Sequence, residues 1–459
     1  SGYGIHFSLP RLMSKEEFGL YQVVIGLVSI INAVVITGTY QTVSKYISQE
    51  ESKADAVKSK ALKLQVIVGG GAALGFFLLA PGTASYMNDA RLINYLRLAS
   101  LITLAYSFYA VFTGYFNGQK KFLTQAALDM TYSTLKLGFI VLLVWLGYGV
   151  TGGVGGFALA ATSILIISAV LAGRGARLGD VKAGDLLKFQ SYLLLFTLVL
   201  NLLQKVDLML VKALSSPVAK EATENAASYG AAVNLANITY QIIISATFVI
   251  FPLVSQSTFV DDREKTRLYI SNTTRYTLMV MALVATLLSA NSAEVLRVVY
   301  PEEYQDGSLA LGIVAYGMLF FGLLYVITTI ISASGRPAVS LMIGGLTLAA
   351  SAVLNALLIP RFSLAGAATG TTVAMLVGVI AGSVYLIRMF RAFLPIVSFI
   401  RIAASGTVVG LLSILIVTDS KVMTLAQLAA LSLVYFAMLL LTRELGGEDL
   451  TALKKVIKI

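Results

Sequence analysis

The chain has 459 residues, 57% hydrophobic and 12% charged, with a formal charge of +11, no cysteine and a single histidine. A mean hydropathy of +0.84 excludes a soluble globular domain of this length, and the missing cysteines exclude disulfides, thiolate metal sites and cysteine nucleophiles. One histidine excludes a histidine metal cluster, and apolar runs of about 20 residues, without the alternation a membrane strand needs, make this an all-α polytopic membrane protein.

In chain order, fourteen spans can be placed near residues 1–12, 20–44, 62–87, 94–116, 125–147, 152–173, 189–213, 226–254, 273–299, 308–333, 338–360, 364–387, 398–417 and 423–442. The first, Gly2 to Leu12, is too short to cross alone, so the chain reads as truncated there, and its His6 reads as a packed or interfacial side chain. No cleavable signal peptide is visible. Span 2 carries Thr37, Gln41 and Ser44, with Tyr40 alongside. Arg97, near one end of span 4, reads as an interfacial anchor. In span 5, Asp129, Tyr132 and Lys136 share a face at i, i+3 and i+7, and Lys136 lies at mid-membrane.

Gly-rich Thr151–Gly156 opens span 6 as a tight turn; with no strand before it and no Lys-Ser/Thr pair after it, it is not a phosphate cradle. The basic stretch Arg174 to Lys188 then reads as a linker between two halves of six spans each. Span 7 holds Asn201, Gln204, Lys205 and Asp207, and span 8 places Asn234, Asn237, Gln241 and Ser245 at intervals of three or four, giving one polar face. The last two spans form an additional pair, and the tail from Arg443 is either a short interfacial helix or a frayed polar end.

If the N-terminus is cytoplasmic, twenty-three lysines and arginines fall in the connections on that side and eight on the other. This positive-inside bias supports a multi-pass protein of the cytoplasmic (inner) membrane with both termini inside, and explains the net charge without nucleic acid. Six spans per half give the halves the same orientation, as in parallel-repeat transporters. Residues 18–45 align without gaps on 229–256, matching Gly19 to Gly230, Ile31 to Ile242, Val43 to Val254 and Ser44 to Ser255. Gly118 and Gly335 end spans 4 and 10, and Gly155 and Gly366 open spans 6 and 12, at corresponding places. The expected organisation is an N-terminal lobe 1–174, a cytoplasmic linker 175–188, a C-terminal lobe 189–388, a helix pair 389–442 and a cytoplasmic tail 443–459.

A charge at the centre of a span is expensive enough that it usually faces a wet cavity or a partner. Lys136 and Lys205 therefore have two readings: one deep cation per lobe holding an anionic head group, or pairing with Asp129 or Asp207 for packing alone. The stripes on spans 2, 7 and 8 likewise line a cavity or glue helices together. Asp207 and Asp129 are the candidates for coupling to a proton or sodium ion, against a structural or orienting role. No Gly-x-Ser-x-Gly, P-loop or His-Glu-x-x-His is present, no long aqueous loop exists to hold a nucleotide, and no cofactor or metal is expected.

Pro10–Gln22 (PRLMSKEEFGLYQ) resembles the stretch that opens polysaccharide exporters and O-antigen flippases of the multidrug/oligosaccharidyl-lipid/polysaccharide superfamily. Leu202–Leu214 followed by Ala227–Asn237 resembles a second region of that family, with Asp207 and Gly230 at the marked positions but Tyr229-Gly230 in place of Gly-x-Tyr. Thr113–Phe122 resembles the family's end of span 4. The resemblance implies two six-helix bundles around a cavity lined mainly by spans 1, 2, 7 and 8, and a non-enzymatic flippase moving a polyprenyl-pyrophosphate-linked sugar by alternating access. Fourteen spans is typical of lipid II flippases and many polysaccharide exporters, whereas multidrug exporters usually have twelve.

The expected function is flipping of a lipid-linked oligosaccharide, a precursor of polysaccharide, O-antigen or a similar envelope glycan. Its substrate-binding set is Lys205, Lys136, Asn201, Gln204, Asn234, Asn237, Gln241, Tyr40 and Gln41. A lipid II-type flippase or a multidrug/cation antiporter of the same superfamily is the alternative, and a membrane glycan polymerase or ligase is disfavoured by the short loops. Membrane lipids and the lipid-linked glycan are the expected partners, with glycan polymerases or glycosyltransferases as candidate protein partners.

Overall fold

The computed structural model describes residues 2–173, 183–416, 418 and 420–446, and its regular elements are helices. Of the expected linker 175–188, residues 175–182 lie outside the described residues and 183–188 begin a helix; of the expected tail 443–459, residues from 447 on lie outside them. The chain divides into two compact units, Ser1–Gly230 and Ala231–Ile459. Unit 1 holds α1 (Gly2–Ser8), α2 (Lys15–Gln49), α3 (Ala54–Tyr86), α4 (Leu92–Gly118), α5 (Phe122–Leu143), α6 (Gly149–Ala172), α7 (Ala183–Leu203), α8 (Val206–Leu214) and the start of α9 (Ala219–Phe259). Unit 2 holds the rest of α9 with α10 (Arg263–Ala290), α11 (Ser292–Val299), α12 (Ser308–Ala333), α13 (Pro337–Phe390), α14 (Ile396–Leu415) and α15 (Lys421–Leu441).

In unit 1, α2 packs against α3, α4, α6 and α7. Its start is set by a capping box, in which the Glu17 N–H donates to Ser14 Oγ at 3.3 Å and the Ser14 N–H donates to the Glu17 carboxylate at 3.0 Å. The approach of α4 is close because Gly114 and Gly118 face the Tyr40 and Ser44 carbonyls; an added Cβ would lie 2.8 and 2.9 Å from those oxygens.

Nine helices among the described residues are long and apolar enough to cross a membrane, and two of these run for 51 and 54 residues. A straight 54-residue helix would be about 80 Å long, far more than the roughly 30 Å hydrocarbon core. Both fold back. In α13 the reversal is at Ser363 (φ 49°), and Gly366 and Gly370 of the returning arm face the Leu358 carbonyl and the Asn355 N–H of the outgoing one. Between α5 and α6 the chain turns through a π-helical segment, Val144–Tyr148, with Gly147 and Gly149 at positive φ, and Gly152 and Gly156 face the backbone of Leu143 and Phe139. The two hairpins thus close by the same device, a pair of glycines four residues apart on the second arm. Comparison of the sequence halves put Gly155 opposite Gly366; the glycines in contact are Gly152 and Gly156, since Gly155 only approaches the tip of Leu98.

Span 7 is not one helix. The backbone leaves the α-helical ladder at Gln204 and Lys205, where the Gln204 and Lys205 N–H groups bond only three residues back, to Asn201 and Leu202, and Lys205 becomes the N-cap of α8. Apolar length alone did not reveal this break, because the residues around it are helix-compatible.

In unit 2, α12 packs on α10 and α13, and α14 packs on α10 and α15. The additional pair is pinned by buried polar contacts: Asn291 Oδ1 accepts from Ser413 Oγ at 2.7 Å and from Gln427 Nε2 at 3.0 Å. Glu444, 1% exposed, accepts from Arg275 at 2.6 Å and lies 3.6 Å from Arg401.

Substituting Gly366→Val would drive a side chain into the Leu358 carbonyl 2.3 Å away, a clash expected to remove about 1–3 kcal/mol of stability. Gly71→Val, which meets nothing within 4 Å, is the control. Thermal unfolding in detergent should show a lowered midpoint for the first and little change for the second.

Candidate functional site

Lys136 lies in an apolar helix long enough to cross a membrane, whereas His6 lies in the short α1 and Lys205 at the break between α7 and α8. The charges of Lys205 and Lys136 both act on the His6 imidazole, and α1, which carries His6, packs on α5 with Gly4 against Leu137. Lys136 Nζ stands 3.8 Å from the centroid of the Phe157 ring, a cation–π contact to α6. Lys205 and Lys136 are each half-buried, as is His6, whose Nδ1 has no hydrogen-bond partner among the described residues. His6, read from sequence as a packed or interfacial side chain, is half-buried on α1, which packs on the helix that carries Lys136.

Asp207 is the second residue of α8 and is fully buried; its carboxylate accepts from the Tyr229 hydroxyl at 2.7 Å and from the Leu208 N–H at 2.7 Å. Its charge acts on Lys205. Asn201 donates to the Thr197 carbonyl at 2.8 Å, and Gln204 sits half-buried at the break itself.

Asp129 is exposed on α5 and accepts from the Tyr109 hydroxyl at 3.1 Å. Tyr109, Tyr106 and Tyr132 form an aromatic cluster with centroid separations of 5.0 Å between Tyr106 and Tyr132 and 6.0 Å between Tyr109 and Tyr132. Through Tyr132 the cluster reaches Phe157 at 6.4 Å, and so the ring under Lys136. Beside it runs a hydrogen-bonded string in which Ser44 donates to Asn117 (2.6 Å), Asn117 to Gln125 (2.7 Å) and Gln125 to Tyr40 (3.5 Å).

The polar stripe on α2 is divided between these roles. Gln41 is exposed and Tyr40 half-buried, but the most buried polar group is Thr39, whose hydroxyl accepts from Gln65 of α3 at 2.8 Å and from Gln190 of α7 at 2.9 Å. Neither glutamine was legible as a partner from sequence, because their separations from Thr39 follow no helical period. On α9 in unit 2, Asn234 is buried with Nδ2 lacking a hydrogen-bond partner among the described residues, Asn237 Oδ1 is in the same condition, and Gln241 is exposed.

The opposite correction concerns Lys212. Counted from sequence with the eight basic residues of the side opposite the cytoplasm, it is 1% exposed, and its ammonium donates to Asp89 at 3.0 Å, to the Ala219 carbonyl at 3.0 Å and to Thr223 Oγ1 at 2.6 Å. Asp89 also receives two hydrogen bonds of 2.9 Å from Arg91, which reaches Glu16 at 2.7 Å. Burial alone would raise the Asp89 carboxyl; the hydrogen bonds from Arg91 and Lys212 outweigh it and hold it below the usual carboxylate range.

Residues 8–309 match the family described as "Polysaccharide biosynthesis protein". Among solved structures, the chain is similar to an inward closed conformation of the lipid II flippase MurJ, with a TM-score of 0.79 and 16% identity over 96% of this chain and 97% of that one. It is also similar to an inward-facing multidrug resistance MATE transporter of the MOP superfamily, with a TM-score of 0.69 and 15% identity over 85% and 94% of the two chains. A third is a MOP superfamily transporter from Pyrococcus furiosus, with a TM-score of 0.60 and 16% identity over 87% and 91%. There is no significant match among curated protein sequences. At these identities the likeness establishes the fold, that of the multidrug/oligosaccharidyl-lipid/polysaccharide superfamily.

Tyr229→Phe leaves the buried Asp207 carboxylate short of a donor, and a loss of about 1.5–3 kcal/mol is expected, the range for hydrogen bonds to charged groups; thermal unfolding measures it. The folded-state pKa of Asp89 is depressed, so its stabilising contribution is full above the usual carboxylate range and is lost as pH falls through the lowered value. Unfolding midpoints followed into acid should fall less in Asp89→Asn than in the parent.

Proposed function

Because the chain belongs to the polysaccharide biosynthesis protein family and has the transporter fold of the superfamily, we propose that it flips a polyprenyl-pyrophosphate-linked oligosaccharide across the cytoplasmic membrane. The observation that carries this reading is Lys205 at the break between α7 and α8, together with the packing of α1, which carries His6, on α5, which carries Lys136. Half-helix ends and unwound backbone are where transporters build substrate sites, and two lysines with an imidazole complement a pyrophosphate, not the cation of a drug antiporter.

In this mechanism the head group enters from the cytoplasmic side and its pyrophosphate is balanced by Lys205, with Lys136 and His6 contributing. The prenyl tail stays in lipid, avoiding the cost of bringing it into water. Asn201, Gln204, Tyr40 and Gln41 donate to or accept from sugar hydroxyls, and α9 supplies Asn234, Asn237 and Gln241 for the same task. The halves 1–174 and 189–388 rock to release the glycan on the far side, with 389–442 as an added helix pair. Asp207 and Asp129 are the groups assigned to a coupling proton or sodium ion. Counting each hairpin as two spans and adding α1, α7–α8 and α9 brings the nine apolar helices to the fourteen spans of this reading, and the two hairpins closed by paired glycines support a duplicated unit.

Purified protein in liposomes with a fluorescent polyprenyl-pyrophosphate oligosaccharide tests it. Lys205→Ala should lower flipping at least about tenfold, the loss of one charge-assisted contact, and Lys136→Ala should lower it less, with both variants still inserted and folded. Full activity of Lys205→Ala refutes the assignment. Asp207→Asn and Asp129→Asn should alter the dependence of transport on a proton or sodium gradient if either carries the coupling ion, and leave it unchanged if both are structural.

A further inference from the structure

None of the residues assigned to substrate takes part in the ionic network at the end of unit 1 formed by the start of α2, the α3–α4 turn, the end of α8 and the start of α9. There all three Lys212 protons are used, on Asp89, the Ala219 carbonyl and Thr223. Asp89, 4% exposed, is shared with Arg91, and Arg91 reaches Glu16. Around this core α9 and α2 approach without space for side chains: a Cβ on Gly19 would lie 2.1 Å from the Thr223 carbonyl, and one on Gly230 would lie 2.9 Å from the Gln22 amide. Ser228, about a turn and a half farther along α9, is fully buried behind it.

We propose that the Asp89–Lys212 pair, with Arg91, Glu16 and Thr223, is the latch that closes the transport pathway at this end and must separate for release on the far side. This rests on the flippase reading, in which Glu16, Asp89 and Arg91 belong to the half 1–174, and Lys212 and Thr223 to the half 189–388. The chemistry suits a reversible closure. A buried ion pair adds little net stability, because its attraction is offset by lost hydration, so parted ions recover in water most of what they had in contact. An apolar seal of the same size would expose hydrocarbon surface on opening, with no such recovery. The geometry meanwhile demands one register, since an ammonium with three fixed acceptors and a carboxylate forked onto Arg91 have no equivalent arrangement a turn away.

The chain has no cysteine, so Ser228→Cys is a single reporter for a membrane-impermeant maleimide applied from that side, with no substrate present. Adding Asp89→Asn to this protein should raise the labelling rate by about tenfold or more, as the closed state loses its counter-charge for a buried ammonium. Independently, Asp89→Cys with Lys212→Cys, joined by a short reducible bis-thiol reagent, should stop flipping, and reductant should restore it in the same molecules, which excludes misfolding. Unchanged labelling, or undiminished transport while cross-linked, overturns the latch. Should the parent protein move no polyprenyl-pyrophosphate glycan while labelling still follows Asp89→Asn, the latch stands and the substrate reading falls.

Discussion

Hydrocarbon offers no hydrogen bonds, so every backbone amide and every charge inside a bilayer must find its partner within the protein or in a water-filled space. The architecture of this chain follows from that constraint. Its apolar runs close their backbone bonds as helices, and where a run is too long for one crossing, Ser363 in one case and Gly147 with Gly149 in the other turn it back on itself. The returning arms come close because Gly152, Gly156, Gly366 and Gly370 present no side chain to the backbone opposite. With little hydrophobic drive between helices in lipid, such close backbone packing and buried polar contacts supply the specificity that a water-excluded core supplies in a soluble protein.

The same constraint sorts the polar residues. Thr39 with Gln65 and Gln190, and Asn291 with Ser413 and Gln427, are satisfied among themselves and hold helices together. Asp207 is buried, with Tyr229 and Leu208 as donors, which matches an orienting role as readily as a coupling one. By contrast, Lys205 sits half-buried at a helix break and Lys136 half-buried against the Phe157 ring, cations of the kind that usually face a wet cavity or a partner. At the break the Gln204 and Lys205 N–H groups leave the α-helical ladder for bonds three residues back.

Solved structures at 15–16% identity share the fold over most of the chain. A fold specified by span length, small residues at close crossings and a few buried polar nodes tolerates replacement of most lipid-facing side chains, since one apolar residue serves there as well as another. A shared fold hosts different functions, so what a protein moves is argued from the charged and amide side chains of its own site.

By itself the sequence determined the membrane class and the helical character, because each depends on local apolar length, and it singled out Lys136, Lys205, Asp207 and Asp129 because charge within such runs is conspicuous. It also displayed the motifs around Pro10–Gln22 and Asp207 that led to the superfamily. Only the tertiary structure decided which groups meet: that Asp129 is held by Tyr109, and that Lys212, outwardly one more basic residue near a connection, is sealed against Asp89. Those pairings join residues 20 and 123 positions apart, with no periodicity to link them. Contact between distant helices depends on how glycines and buried amides set their crossings, and no window along the chain contains both sides of a crossing.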